Sequence, residues 1–233
     1  MDRRMMLRLL VIPLAALAWS VVGASAQDSP PPLAPLPSED AELGVEEDRK
    51  RQSAAPSDVV ESAVAAVGRL GDEVVLGRYQ VAVERMNPLW KERTARRMGG
   101  MKELESQLAG VARQMVQQGI SMISFKPQGQ PQSFEVGPST RVELLKEVQV
   151  ESLVFNKWLV LIPTVTQFRI IHGGTAKPVV IESVGFQVAI SDKDKLDWTF
   201  IDGSGVTVND LRSLFVTLPK DLKLPALEKR EVR

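Results

Sequence analysis

The stretch Val179-Val180-Ile181-Glu182-Ser183-Val184-Gly185-Phe186-Gln187-Val188-Ala189-Ile190 decides the fold. Val184, Phe186, Val188 and Ile190 alternate with Ser183, Gly185, Gln187 and Ala189, the period of two that gives a strand two different faces. Asp192 to Lys195 is a polar turn, after which Leu196, Trp198 and Phe200 alternate again, so the pair reads as an antiparallel hairpin. Beyond it, Asn209 to Phe215 reads as one or two helical turns, and Leu218-Pro219 and Leu224-Pro225 as an extended tail packed on the domain. In the other direction, Gly173-Gly174 is a turn and Trp158 to Ile171 a strand. Pro163 demands an edge or a bulge there, having no N–H to donate. Val142 to Val154 is a less regular strand whose Leu144-Leu145 also fits a short helix. The stretch 127–140, rich in Gln, Pro, Gly and Ser, reads as a long loop, and Ile120, Met122 and Ser124 alternate in a strand ending near Pro127.

Before Ile120 the period lengthens. Met101, Leu104, Leu108, Val111 and Met115 recur at helical steps, and Gly119 stands where a left-handed C-terminal cap belongs. Gly99-Gly100 separates this helix from a short one at 89–98 that holds Trp90. Tyr79, Val83 and Met86 mark another helical piece, bounded by a corner at Gly77-Arg78 and by Pro88, which ends it or starts a new turn. Ser57 is placed to cap a first helix through Val60, Val64, Val67, Val74 and Val75, with Gly68 and Gly71 counting against one unbroken rod. Helices followed by a meander of antiparallel strands predict an α+β fold.

The 233 residues include 29 Lys and Arg against 29 Asp and Glu, one histidine, one tyrosine and no cysteine. Disulfides, cysteine nucleophiles and cysteine or multi-histidine metal sites are therefore excluded. A neutral chain is also a poor nucleic-acid binder by bulk charge. The zero balance resolves into three segments. Residues 1–26 read as a signal peptide: Arg3, Arg4 and Arg8 precede an apolar run from Leu9 to Gly23, and Ala24-Ser25-Ala26 is a small-x-small site predicting cleavage after Ala26. The run is short for a membrane span, so no stable anchor is expected after cleavage. Arg3-Arg4-Met5-Met6-Leu7 also resembles a twin-arginine signal, although an ordinary basic n-region explains it. Residues 27–56 form a linker, Pro-rich at Pro30-Pro31-Pro32, Pro35 and Pro37 and charged from Ser38 to Ala55, with the acids Asp28, Glu39, Asp40, Glu42, Glu46, Glu47 and Asp48 outweighing Arg49, Lys50 and Arg51. Its composition predicts a disordered spacer. Residues 57–233 suit a single domain with a sizeable core.

The order of elements resembles exported members of the nuclear transport factor 2-like superfamily. The likeness is carried by Met86-Asn87-Pro88 with Gly99-Gly100, by Leu161-Ile162-Pro163-Thr164, by Val188-Ala189-Ile190-Ser191 with Trp198-Thr199-Phe200-Ile201-Asp202-Gly203, and by the C-terminal Leu-Pro pair. It spans about residues 79 to 225. The resemblance implies a curved sheet wrapped around N-terminal helices as a cone. It allows isomerases, dehydratases, cyclases and noncatalytic binding or assembly domains alike. The enzymes place an Asp or His base with a Tyr or Asp partner inside the cone, and no such pair maps onto this chain. Asp192-Lys193-Asp194-Lys195 departs from the Asp-Gly-Gly-Lys turn of similar proteins, which argues against a turn-bound ligand.

Individual side chains offer few sites. His172, beside Gly173-Gly174, reads as a turn residue rather than a base. Tyr79 is a weak catalytic candidate as an oxyanion donor, with core packing the plainer role. Asp192, Asp194 and Asp197 lack the spacing of a calcium loop. Asp202 is the most plausible buried carboxylate: a general base if burial raises its pKa, otherwise a helix cap or turn residue. Lys91, Arg93, Arg96 and Arg97 form a basic cluster interrupted by Glu92. Tyr79, Trp90, Trp158, Phe186 and Trp198 are candidates to line a pocket, although their periodicity also fits a packed core.

The sequence thus predicts an exported, periplasmic or secreted, noncatalytic domain that binds a small ligand or an envelope protein. It predicts no cofactor, metal or nucleic-acid partner. The alternatives are a small lyase or isomerase using Asp202, and a homodimer or larger homo-oligomer paired through the sheet.

Overall fold

A computed structural model describes residues 55–137, 140–145, 148–171 and 177–232. The expected signal peptide, nearly all of the linker and His172 lie outside the described residues. In chain order the elements are α1 (Ser57–Val75), α2 (Gln80–Glu84), α3 (Pro88–Met98), α4 (Met101–Gln117), β1 (Ile120–Pro127), β2 (Gln132–Val136), β3 (Thr140–Leu145) and β4 (Val148–Leu153). After them come β5 (Lys157–Ile170), β6 (Val179–Asp192), β7 (Thr199–Asp202), α5 (Val208–Leu214) and β8 (Glu228–Val232). Helices first and antiparallel strands after them make the fold α+β.

The long strands β5 and β6 pair antiparallel from Lys157↔Asp192 to Ile170↔Val179. Each has two short strands along its outer edge: β1 and β2 on β5, β7 and β8 on β6. The alternation read in 179–190 holds. Phe186, Val188 and Ile190 join one core with Leu159, Leu161 and Ile201, whereas Ala189 joins another with Val160 and Ile162. Two cores therefore lie on opposite faces of one sheet. α1 fills the first with Val59, Ala63, Val67, Leu70 and Val74. Leu211 of α5, Phe215, Leu218 and Leu222 fill the second.

Several expectations change. Pro163 sits inside β5, neither at an edge nor in a bulge. Gln128 donates its N–H to the Pro163 carbonyl at 2.9 Å. N–H and C=O of one residue point to the same edge of an antiparallel strand, so the missing donor faces the joint where β1 has ended opposite Thr164 and β2 begins opposite Leu161. The stretch 127–140 thus contains β2, which the loop-like composition hid. Residues 142–154 hold a hairpin, β3 with β4, in a separate two-stranded sheet. β8 was not foreseen, because Glu228 to Val232 is a charged, exposed edge strand without alternation. Leu196 leaves the predicted strand pattern: at φ 50° it closes the turn, and pairing resumes at Thr199.

The helices also differ in detail. α1 runs unbroken through both glycines. Gly71 is there for close approach, since an added Cβ would lie 2.2 Å from the Phe125 ring of β1. Ser57 is the first helical residue rather than the cap, a position taken by Pro56. Gly119 adopts the expected left-handed conformation, φ 67°, directly after α4. Ala55, placed in the linker, is buried and donates its N–H to Ser133 Oγ at 2.9 Å, so it belongs to the packed domain.

Candidate functional site

α3 is positioned by Asn87. Its Oδ1 accepts from the Trp90 N–H at 3.3 Å, capping the helix, while Pro88 takes the first position, where no N–H is needed. Its Nδ2 donates to Thr199 Oγ1 at 3.0 Å, and its backbone N–H donates to the Phe200 carbonyl at 2.8 Å. One buried side chain thus fixes the start of α3 against β7.

From that anchor α3 reaches α5. Thr207 and Asp210 form a capping box: Asp210 N–H donates to Thr207 Oγ1 at 3.1 Å, and Asp210 Oδ2 accepts from the Thr207 N–H at 3.1 Å. The other oxygen, Oδ1, accepts from Arg93 Nη2 at 3.1 Å and Arg97 Nη2 at 3.5 Å. Arg93 also donates to Ser213 Oγ and to the Asp210 carbonyl. Burial pushes the Asp210 carboxyl up. The Thr207 bonds, the Arg93 charge and the Arg97 bond outweigh it and hold the group below its ordinary value.

A cleft of about 370 Å³ opens between these helices. Leu89 and Leu214 give it apolar wall, and Arg93, Arg96 and Arg97 give it charge, against Glu92 and Asp210. Arg96 is 76% exposed and, among the described residues, bound only to Glu92, one helical turn away at 2.5 Å. Such a pair is worth about 0.3–0.5 kcal/mol, so its guanidinium is easily redirected. The basic cluster is therefore divided: Arg93 is structural, Arg96 and Arg97 face the cleft, and Lys91 pairs with Glu105 of α4 at 3.7 Å.

The other carboxylate of interest lies on the sheet. Asp202 ends β7 opposite Gln187, which stands opposite Ile162, so all three share the α1 face. Lys229 of β8 stands opposite Ser183 on the same face. Asp202 Oδ1 accepts from the Ser204 N–H and Oγ, each at 2.9 Å. It thus holds the turn, and the helix cap that was its other structural option belongs to Thr207. Burial pushes Asp202 up, and the Ser204 bonds and the Lys229 charge only partly oppose this. Burial pulls Lys229 down against the attraction of Asp202.

The five candidate pocket aromatics do not converge. Trp158, Trp198 and Tyr79 pack in the α1-side core, whereas Phe186 and Trp90 pack in the α5-side core, with the sheet between. Trp198 Nε1 donates to Ser62 Oγ of α1 at 3.0 Å, and the Lys193 ammonium lies 4.9 Å from the Trp158 ring centre. Tyr79 also borders a second, open cleft of about 410 Å³ with Arg113, Val116 and Gln117. Asp192 pairs with Lys157 and Lys195, and Asp197 with Arg85. Among the described residues no group of three or more acidic or histidine side chains could hold a metal ion, and no helix is long and apolar enough to cross a membrane.

The roles of Thr207, Asp210 and Ser213 escaped the sequence reading. The helical reading of Asn209 to Phe215 holds as α5, and Thr207-Val208-Asn209-Asp210 before it is a capping signature that could have fixed its start and its acidic end. Lys229 had no comparable signal, because β8 has no alternation. No protein family, curated protein or solved structure matches the chain.

Proposed function

We propose that this chain is an exported, noncatalytic binding domain of nuclear transport factor 2-like architecture. It receives an anionic segment of a partner protein in the cleft between α3 and α5. The observation that carries this reading is the pair Arg96 and Arg97 beside Leu89 and Leu214, on helices held rigid by Asn87 and the Asp210 network. Guanidinium groups bind carboxylates through paired donors, and the leucines add apolar contact. Packing supports a surface site: α1 side chains occupy the space over the centre of the sheet. The test is affinity capture from native envelope extract with wild type, with Arg96→Glu plus Arg97→Glu, and with Asp202→Asn. The bound species is expected to disappear only with the arginine reversal. Capture lost with Asp202→Asn and kept with the reversal overturns the reading. Export is tested by fractionation, with a mature N-terminus at Gln27 as the expected result.

One observation favours a second reading, a small lyase or isomerase. Asp202 has its pKa raised and shares a sheet face with Lys229 and the buried Thr164 and Gln187. A carboxylate in that state is suited to act as a general base. Turnover of any substrate that vanishes with Asp202→Asn at unchanged fold would establish it.

A further inference from the structure

We propose that the acidic segment 39–48 of this same chain, outside the described residues, docks across Arg96 and Arg97 and occupies the α3–α5 cleft in cis. The inference concerns the cleft of the proposed function, but its readout needs no partner, so either can fail alone.

Charge complementarity is the first argument. Segment 39–48 carries Glu39, Asp40, Glu42, Glu46, Glu47 and Asp48 and no basic residue. Between these acids stand Leu43 and Val45, apolar side chains matched to Leu89 and Leu214. The cleft lining holds three guanidiniums and one carboxylate, Glu92, with Asp210 bound to Arg93 behind it. Asp210 is satisfied by Arg93 and Thr207 without its long 3.5 Å contact to Arg97. Arg97 and the exposed Arg96 can therefore turn to new carboxylates while the α3–α5 joint stays closed.

Reach is the second argument. Ala55, the first described residue, is bound to Ser133 of β2, on the outer edge of β5. α3 is clamped to β7, on the outer edge of β6. Those edges are three strand spacings apart, about 14 Å. Arg96 and Arg97 stand up to about 15 Å further along α3, and the twelve residue steps from Leu43 to Ala55, which span up to about 41 Å when extended, are enough to cover both distances. A tether of this length sets an effective concentration on the order of millimolar, so weak contacts suffice for occupancy. An external anionic partner must then displace the segment, which makes the linker a competitor for its own binding site.

The chain lacks cysteine, so Ala41→Cys creates a single labelling position. A nitroxide there, in the exported form beginning at Gln27, is read by broadening of backbone amide signals. At low salt the amides of Arg96, Arg97 and Ser213 are expected to fall below about half intensity. They recover in 1 M salt, where screening shortens to about 3 Å. Arg96→Glu with Arg97→Glu abolishes the broadening, and Arg113→Glu, outside the cleft, leaves it. Amides of α3 and α5 untouched at low salt, or broadening indifferent to both salt and reversal, overturn the proposal. So does broadening that arises only between separately labelled chains, which would make a second copy the occupant.

Discussion

The two faces of the β5–β6 pair are closed by different means. On one, a single helix of 19 residues lies against the sheet closely enough that Gly71 meets the Phe125 ring. On the other, the seven residues of α5 and a tail carrying Leu218 and Leu222 do the same work. A long helix covers its face continuously. A short helix covers only part, and its far side meets α3 across a cleft rather than a core. The difference separates a face devoted to stability from one where the fold leaves charged side chains with room to bind.

The sharpest way to break this contrast is to empty the short-helix core. Phe215 is fully buried there, and Phe215→Ala is expected to cost about 3–5 kcal/mol in urea unfolding. A loss under about 1 kcal/mol would mean that the tail merely rests on the sheet. On the long-helix face, Gly71→Ala is expected to cost about 1–3 kcal/mol through overpacking against Phe125. Gly68→Ala, one turn away with nothing within 4 Å of the added Cβ, is expected to gain about 0.5–1 kcal/mol from helix propensity. Opposite signs at these two glycines define where α1 touches β1.

The two carboxylates sharpen the comparison through pH. Asp202 has its folded pKa raised, so its ionised form opposes folding above that pKa. Asp202→Asn is expected to melt higher than wild type at neutral pH, and the gap closes as pH falls through the raised value. Asp210 is held below its ordinary value, so it stabilises at neutral pH and loses that contribution in acid. Asp210→Asn is expected to melt lower at neutral pH, with a gap that also closes on acidification. Thermal melts from neutral pH down into acid check both signs. The smallest effect belongs to Arg96→Gln, which removes only an exposed i,i+4 pair and is expected to stay within about 0.5 kcal/mol of wild type in stability.

Much of this was legible. Periodicity revealed α1, α4 and β6, and an apolar run revealed β5, which is buried on both faces; Gly119 and Pro88 marked helix boundaries through backbone geometry. The tail expected to pack through Leu218 and Leu224 does so, whereas β2 and β8 were hidden, because short edge strands leave no period to read. The basic cluster was visible, but its division into structural Arg93 and open Arg96 and Arg97 depends on Asp210, more than a hundred positions away in sequence. Asp202 was identified as the notable carboxylate, while its counterpart Lys229 was brought near only by β8 pairing.

Hydrogen exchange on the chain with its captured partner bound tests the binding surface most directly. Slowed exchange at Arg93 to Met98 and at Val208 to Leu214, with β6, β7 and β8 unchanged, is the result expected of a cleft-binding domain. Slowed exchange around Gln187, Asp202 and Lys229, with α3 unchanged, would contradict it and move the function to the sheet.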